Sequence, residues 1–399
     1  MRYFFSSLIL LLLSFSAGSQ ISSSVFCNDD VSVGSERLDE YLPMILDKKV
    51  GLVGNLSSRV GQSHLVDTLL SLEVELVKIF SPEHGFRGEA DAGEKVNSNT
   101  DIKSGLPIVS LYGRHKKPTA EDLDGLDFLI FDIQDVGARF YTYISTLHFV
   151  MEACARNNVK LIVLDRPNPN GFYVDGPVLN PKYKSFVGMH PVPIVHGMTI
   201  GEYARMINGE HWLPNSIQCN LTVIKCSGWD HSKFYRLPIK PSPNLPNMLS
   251  VYLYPSLCFF EGTVVSVGRG TNWPFQIIGH PSFNSEFSFT PIPNFGSKNP
   301  KLNGVKCKGV NFVEQGLSVL QNQKQIQLSW FIEFYKVLDL KEKFFLSNNF
   351  INLLAGDSSF KRQIINGESE ALIRARWQPK LDQFKTIRKQ YLLYADFKE

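Results

Sequence analysis

The sequence predicts an α/β protein: a mostly parallel sheet covered by helices on both faces, followed by a second, smaller α+β domain. Three observations carry that expectation. From about residue 36 to 210, short apolar runs alternate with segments of helical spacing. Strands buried on both faces read as unbroken apolar runs, and parallel neighbours need helical crossovers. From 211 to 399 the alternation stops and Pro, Asn, Gly and Phe crowd the connections. The 399-residue length also accommodates two domains at roughly 100–200 residues each. A hydrophobic share of 43% against 20% charged residues supplies a core and excludes low-complexity disorder.

The chain opens on Arg2, an apolar run at 8–13 and small residues at 17–19. That order is a secretory signal, cleaved near residue 19. The run is too short for a membrane span of about 20 residues, and no later stretch reaches that length, so an exported chain, periplasmic or secreted, is expected. Cys27 is a possible lipid-attachment site, although Val25-Phe26 before it match such a site poorly.

Strands are expected at 49–55 (KVGLVGN), 75–80 (ELVKIF), 107–112 (PIVSLY), 127–133 (DFLIFDI) and 160–165 (KLIVLD). Each is a short apolar run stopped by a turn signal. Helical spacing marks 64–72 and 142–157, the latter stopped by Asn-Asn. Segments 119–126 and 199–208 open on a capping Thr with an acidic residue three positions on. Beyond 211, strand-like runs at 221–226 and 263–267 flank a Pro/Asn/Tyr-rich stretch at 240–255, and helical patterns cover 330–338 and 369–389.

Forty-one Lys and Arg against 38 Asp and Glu leave a net charge of +3. That is too small and too evenly spread for a nucleic-acid partner. Six cysteines, at 27, 154, 219, 226, 258 and 307, do not make a disulfide scaffold in a chain this long. Cys154 reads as a buried thiol; Cys219 and Cys226 can pair only if the chain turns back. With no CxxC or HExxH motif, no metal is expected. His190 and His196 read as loop histidines. With no GxGxxG or GKS/GKT loop, no nucleotide cofactor is expected.

In open α/β sheets ligands bind at the carboxyl ends of the strands. Three such ends carry unusual residues: SPEHGFRG (81–88), QDVGARFY (134–141) and RPNPNG (166–171). Glu83-His84 stands between rigid Pro82 and permissive Gly85, placed for acid, base or nucleophilic work, or for a plain salt bridge to Arg87. Asp132 ends an apolar strand, where an unpaired charge is costly. With Gln134, Asp135 and Arg139 it forms either a polar site or an Asp–Arg pair that fixes the turn. Tyr141 and Tyr143 offer rings to a sugar face. Asn168 marks the third strand end, and Glu261 and Arg269 flank a later strand, with Trp273 beyond.

These motifs resemble the exported exo-β-N-acetylmuramidases of the NamZ family. The likeness rests on FSPEHGFRGE (80–89), AGE (92–94), FDIQDVGARFYTYISTL (131–147), VLDRPNPNG (163–171) and DGPVL (175–179). It continues through VHGMTIGEYA (195–204), PSPNLPN (241–247), EGTVVSVGRGTNWPFQIIG (261–279) and YLLY (391–394). It implies a Rossmann-like catalytic domain at 36–210 and a C-terminal domain closing the cleft. The implied activity is release of N-acetylmuramic acid from the non-reducing end of peptidoglycan fragments. Val264, where a polar Asn is expected, and Phe172, where a second Gly is expected, depart from the family pattern.

By this resemblance Glu83 is the catalytic carboxylate, and His84, Asp135, Arg139 and Tyr141 line the pocket. Glycoside hydrolysis usually takes two carboxyl groups; Asp135 is the expected partner, with Asp132 and Glu261 in reserve, unless the substrate's N-acetyl group assists. Gln134, Tyr143 and Asn168 are expected on the substrate. Arg139 or Arg269 would grip the lactyl carboxylate, and Tyr141, Tyr143 or Trp273 would stack on the sugar. No cofactor is implied. The rival expectations are a non-catalytic cell-wall sugar-binding protein and a β-N-acetylglucosaminidase.

Overall fold

The computed structural model describes residues 26, 28–82, 85–87 and 99–398. The signal segment, Cys27, Glu83 and His84 lie outside the described residues. So does the AGE motif.

Nine strands build the N-terminal part: β1 Val50–Gly54, β2 Arg59–Val60, β3 Ser63–His64, β4 Leu76–Ser81, β5 Asn99–Thr100, β6 Pro107–Ser110, β7 Phe128–Asp132, β8 Lys160–Leu164 and β9 Leu221–Ile224. Strands β2 and β3 pair as a small hairpin. The other seven form one sheet in the order β5-β6-β4-β1-β7-β8-β9. All its neighbours are parallel except β5, which runs antiparallel at one edge. From β1 the chain moves outward through β4 and β6. It then returns to the other side of β1 and moves outward again through β7, β8 and β9. The order therefore reverses between β1 and β7, and such a switch point opens a crevice at the carboxyl ends of the two strands.

Helices α1 Leu38–Ile45, α2 Leu65–Ser71, α3 Ala120–Leu123, α4 Tyr143–Asn157 and α5 Ile200–Gly209 serve this sheet. Alternate strand residues point to opposite faces. Leu52, Ile79, Ile130 and Ile162 pack with Tyr41 and Ile45 of α1 and Leu65 and Leu69 of α2. Val53, Phe80, Phe131 and Val163 pack on the other side with Leu147 and Met151 of α4 and Tyr203 and Ile207 of α5. Thr119 and Thr199 each close a capping box, with Asp122 and Glu202. Asn158, left-handed at φ 56°, ends α4.

The structure departs from the sequence reading in three places. Strand β9, expected in the second domain, pairs with β8 as the far edge of the first sheet. The Pro/Asn/Tyr-rich stretch, for which no element is expected, runs into α6 Met248–Leu257, capped by Asn247. All ten of its residues are buried, so no polar stripe betrays its period. Residues 263–267 form isolated bridges, Thr263 with Phe345 and Ser266 with Gly279, not a regular strand.

The remaining chain forms a three-stranded antiparallel sheet and five helices. The strands are β10 Ile277–His280, β11 Ser288–Phe289 and β12 Cys307–Asn311, in the order β10-β12-β11. The helices are α7 Leu317–Gln323, α8 Ser329–Leu338, α9 Phe350–Ala355, α10 Ser359–Ile365 and α11 Glu370–Arg388. Phe259, Phe260, Phe331, Phe334, Phe344 and Phe360 are wholly buried and belong to the same core as α4 and α5. The tail returns to the first sheet, where Tyr394 donates to Asp165 (2.6 Å) and Tyr391 to Glu210 (2.6 Å). Cys154, Cys219, Cys226, Cys258 and Cys307 are buried free thiols. No helix among the described residues is long and apolar enough to cross a membrane.

Candidate active site

A polar lattice fills the switch point. Beyond β1, Asn55 Oδ1 accepts from the amide and hydroxyl of Ser57 (2.9 and 2.6 Å), while its Nδ2 donates to the Tyr143 hydroxyl (3.0 Å). Ser57 Oγ in turn accepts from the Gln134 amide (3.0 Å), and Ser58 Oγ donates to the Asp132 carbonyl. Gln134 Nε2 donates to the carbonyls of Asp135 and Pro167, both at 2.8 Å. The ends of β1, β7 and β8 are thus sewn together by side chains that burial obliges to find partners.

Several expected ligand groups are consumed by this scaffold. Asp132 is wholly buried and pairs with Arg166, whose Nε and Nη2 donate to its two oxygens at 2.6 and 2.9 Å. Its arginine is therefore Arg166, from the third strand end, and not Arg139. Arg139 is wholly buried too. It donates to the carbonyls of Pro177 (2.7 Å), Val192 (2.7 Å) and Leu354 (2.8 Å). A guanidinium so enclosed staples backbone segments, so the expected grip of Arg139 on a ligand carboxylate is replaced by a structural role. Asn168 donates to the Met198 carbonyl (2.9 Å) and accepts from the Asn170 amide (2.8 Å). It also presses on Gly137, where φ is +76° and a Cβ would lie 2.1 Å from Asn168 Oδ1. Only glycine suits both the angle and the space.

Asp135 keeps a free valence. Its Oδ2 accepts from the Gly137 amide at 2.6 Å, while buried Oδ1 has no hydrogen-bond partner among the described residues. Burial pushes this carboxyl up to about 7, against the pull of the Gly137 and Val136 amides. Facing it is His196, with Nε2 at 3.8 Å from Oδ2 and likewise unpartnered. His196 Nδ1 accepts from the Met198 amide (3.3 Å), which places the ring proton on Nε2, toward Asp135. Burial, reinforced by Arg388, Arg139 and His231, pulls the imidazole down to about 3 and keeps it neutral.

A cavity of about 160 Å³ lies against Tyr141, and neither Asp135 nor His196 is among its lining residues. It brings together four of the expected residues, Tyr141, Tyr143, Glu261 and Arg269, from two well-separated stretches of the chain. The two tyrosine rings meet edge to face at 4.9 Å, and the Tyr141 hydroxyl donates to the Pro241 carbonyl (2.8 Å). Arg269 grips Glu261 through Nε and Nη2 at 2.7 and 3.1 Å. Burial alone would raise the Glu261 carboxyl, but Arg269 and Lys301 hold it below its ordinary value. Trp273 is 42% exposed and lines no wall of this cavity. Among the described residues, no cluster of three or more His, Cys, Asp or Glu could hold a metal.

Sequence reasoning passed over Asn55, Ser57 and the site role of His196, and it noted Arg166 at the third strand end without pairing it with Asp132. The strand 49–55 does end on Asn55, but its importance depends on β1 standing at the switch point, which follows from strand order and not from local pattern.

Fold and site together define an α/β protein with a buried polar lattice at the reversal of a parallel sheet and an aromatic cavity completed by its C-terminal half. The exo-beta-N-acetylmuramidase NamZ family model matches in both its parts, the N-terminal at residues 50–249 and the C-terminal at 252–394. The chain belongs to this family. It is 38% identical over 392 residues to the peptidoglycan beta-N-acetylmuramidase NamZ of Bacillus subtilis (strain 168), covering 90% of this chain and 89% of that protein. Two solved DUF1343 family proteins of Bacteroides fragilis NCTC 9343 superpose on it. One has a TM-score of 0.86 at 47% identity, the other 0.77 at 30%; each alignment covers 92% of this chain and 99% of theirs.

Proposed function

We propose that the chain is an exported exo-β-N-acetylmuramidase, releasing N-acetylmuramic acid from the non-reducing end of peptidoglycan fragments. The supporting observation is its 38% identity with a peptidoglycan beta-N-acetylmuramidase across 90% of the chain. The leader-like residues 1–19 support export.

Glu83 follows Ser81, the last residue of β4, by two positions, and β4 adjoins β1. It is assigned as general acid or nucleophile. Asp135, with its free oxygen and raised proton affinity, is the second carboxyl group. Tyr141 and Tyr143 stack on the pyranose ring. Arg269, oriented by Glu261, meets the lactyl carboxylate that separates muramic acid from glucosamine. His84 is assigned to substrate binding by the resemblance of the PEHG motif.

Glu83→Gln keeps size and hydrogen bonding but cannot titrate. With a chromogenic β-N-acetylmuramide, kcat is expected to fall by about 10²-fold or more. A rate near that of the native chain would sink the assignment of Glu83. Equal turnover of the corresponding glucosaminide would replace the muramidase reading with a glucosaminidase, and binding without turnover would replace it with a sugar-binding protein.

A further inference from the structure

Helices α10 and α11 enclose a second cavity, of about 360 Å³, against the segment carrying Pro177 and Val178. It shares no lining residue with the cavity of Tyr141 and Arg269, and its volume is that of a small-ligand site. Its frame is fixed. Arg374 of α11 donates to Asp175 at 2.9 Å, and the Asn180 amide donates to the Gly356 carbonyl at 2.8 Å.

The floor of this cavity is unfinished. Gln363 and Trp377 are only 4% and 5% exposed, yet Gln363 Oε1 and Trp377 Nε1 have no hydrogen-bond partner among the described residues. Glu368 holds Arg376 through Oε1 at 3.1 Å, while its Oε2 is buried and also unpartnered. Interiors rarely leave such groups unmatched, and here one N–H donor and two acceptors belong to residues that line one cavity. At the mouth, Arg362 and Lys380 are exposed. Asp357, the other acid of the lining, is already taken by the Ser359 amide and hydroxyl and the Phe360 amide. Three cations, Arg362, Arg376 and Lys380, against two acids, Asp357 and Glu368, leave the site net positive.

We propose that this cavity binds a carboxylate carried by a peptidoglycan fragment, at a place separate from the hydrolytic cleft. The inference rests on reading the chain as a peptidoglycan hydrolase. The carboxylate takes Arg362, Lys380 and the Trp377 N–H. Amide or hydroxyl hydrogens next to it donate to Gln363 Oε1 and Glu368 Oε2. Two parts of the polymer offer this chemistry: the lactyl ether of the sugar with its neighbouring N-acetyl group, and the stem peptide.

The test is calorimetric titration of the full chain with N-acetylmuramic acid, with the dipeptide L-alanyl-γ-D-glutamate, and with N-acetylglucosamine, which lacks a carboxylate. At least one carboxylate probe is expected to bind and to lose about tenfold or more in affinity in the double variant Arg362→Ala/Lys380→Ala, the loss expected for a charge-assisted contact. Which probe responds tells the sugar source from the peptide source. Trp377→Phe, which keeps the ring and removes the donor, is expected to weaken the same probe. Both altered cations are exposed, so folding is spared, and turnover of the chromogenic muramide by the double variant should match the native rate. If neither carboxylate probe binds, if the double variant leaves their affinities unchanged, or if N-acetylglucosamine binds equally well, the proposal is overturned. Absence of muramide turnover by the native chain would remove the hydrolase reading instead, through a separate measurement.

Discussion

Asp135 is the residue at which fold and chemistry pull against each other. Its carboxyl is buried, its Oδ1 is unmatched, and its proton affinity stands near 7. The folded value lies above the unfolded one of 3.8, so the protonated form is the one the fold favours. Any stability tied to that proton is present below the unfolded value and is lost as pH rises through about 7. At roughly 1.4 kcal/mol per unit, the loss approaches about 4 kcal/mol at most. Asp135→Asn removes the titration. Urea unfolding between pH 4 and 8 should therefore show the variant gaining on the native chain as pH rises; a constant difference would contradict the raised proton affinity. His196 offers a second handle. His196→Phe keeps a ring but removes the N–H aimed at Asp135, leaving the carboxylate less supported. The pH at which kcat/KM responds to Asp135 should then move upward, whereas a merely structural histidine would lower the rate without moving the profile.

Among the elements, Arg139 does most to explain how a local motif serves a distant one. It stands four residues past Asp135, and its guanidinium holds the carbonyls of Pro177, Val192 and Leu354 together. It thereby anchors α9 beside the first domain. Arg139→Met fills similar volume but withdraws the guanidinium from the carbonyls of Pro177 and Leu354, at about 1–3 kcal/mol each, while the Val192 carbonyl keeps the Leu179 amide at 3.1 Å. A loss of about 2 kcal/mol or more in unfolding free energy is expected; a variant within about 1 kcal/mol of native, read against the same scale, would show that those carbonyls are satisfied otherwise. The motif around Arg139 was legible in the sequence, whereas its role was not, because the three carbonyls come from segments no local pattern connects to it. The same distinction runs through the elements. Strands β1, β4, β7 and β8 announce themselves as apolar runs, and α3 and α5 by their capping threonines. Helix α6 hides because it is apolar all round, and β10 to β12 because they are short; β9 is legible as a strand, but its place at the edge of the first sheet is not, because its partner lies 60 residues earlier, Leu161 against Leu221. Of the site, Tyr141, Tyr143, Glu261 and Arg269 converge in one cavity. Asp132, Arg139 and Asn168 were visible as unusual residues but proved to be framework.

Across the whole molecule, the two sequence-predicted domains share one interior. The core that begins under the first sheet with Val53, Phe131 and Leu147 continues without a break through Phe140, Phe259 and Phe331 to Trp377 on α11. Phe140 meets Tyr254 of α6 edge to face at 5.2 Å and Phe259 at 6.4 Å. The tail then straps back: Arg388 donates to the Gly197 carbonyl at 2.6 and 2.9 Å, and Tyr394 reaches Asp165, which also accepts from the Gly201 amide at the start of α5. Aromatic pairs of this kind add about 0.5–1.5 kcal/mol each beyond burial, so detaching one half exposes the other. The consequence is a single cooperative transition, with no folded N-terminal half surviving alone. Thermal unfolding followed by far-ultraviolet circular dichroism, by tryptophan fluorescence and by calorimetry should give coincident midpoints and a calorimetric enthalpy equal to the van't Hoff value. Tyr394→Phe, which withdraws one donor from the buried Asp165 carboxyl, should lower all three midpoints together. Two separated transitions, or a midpoint that shifts for one probe alone, would mean that the shared core is not what couples the halves.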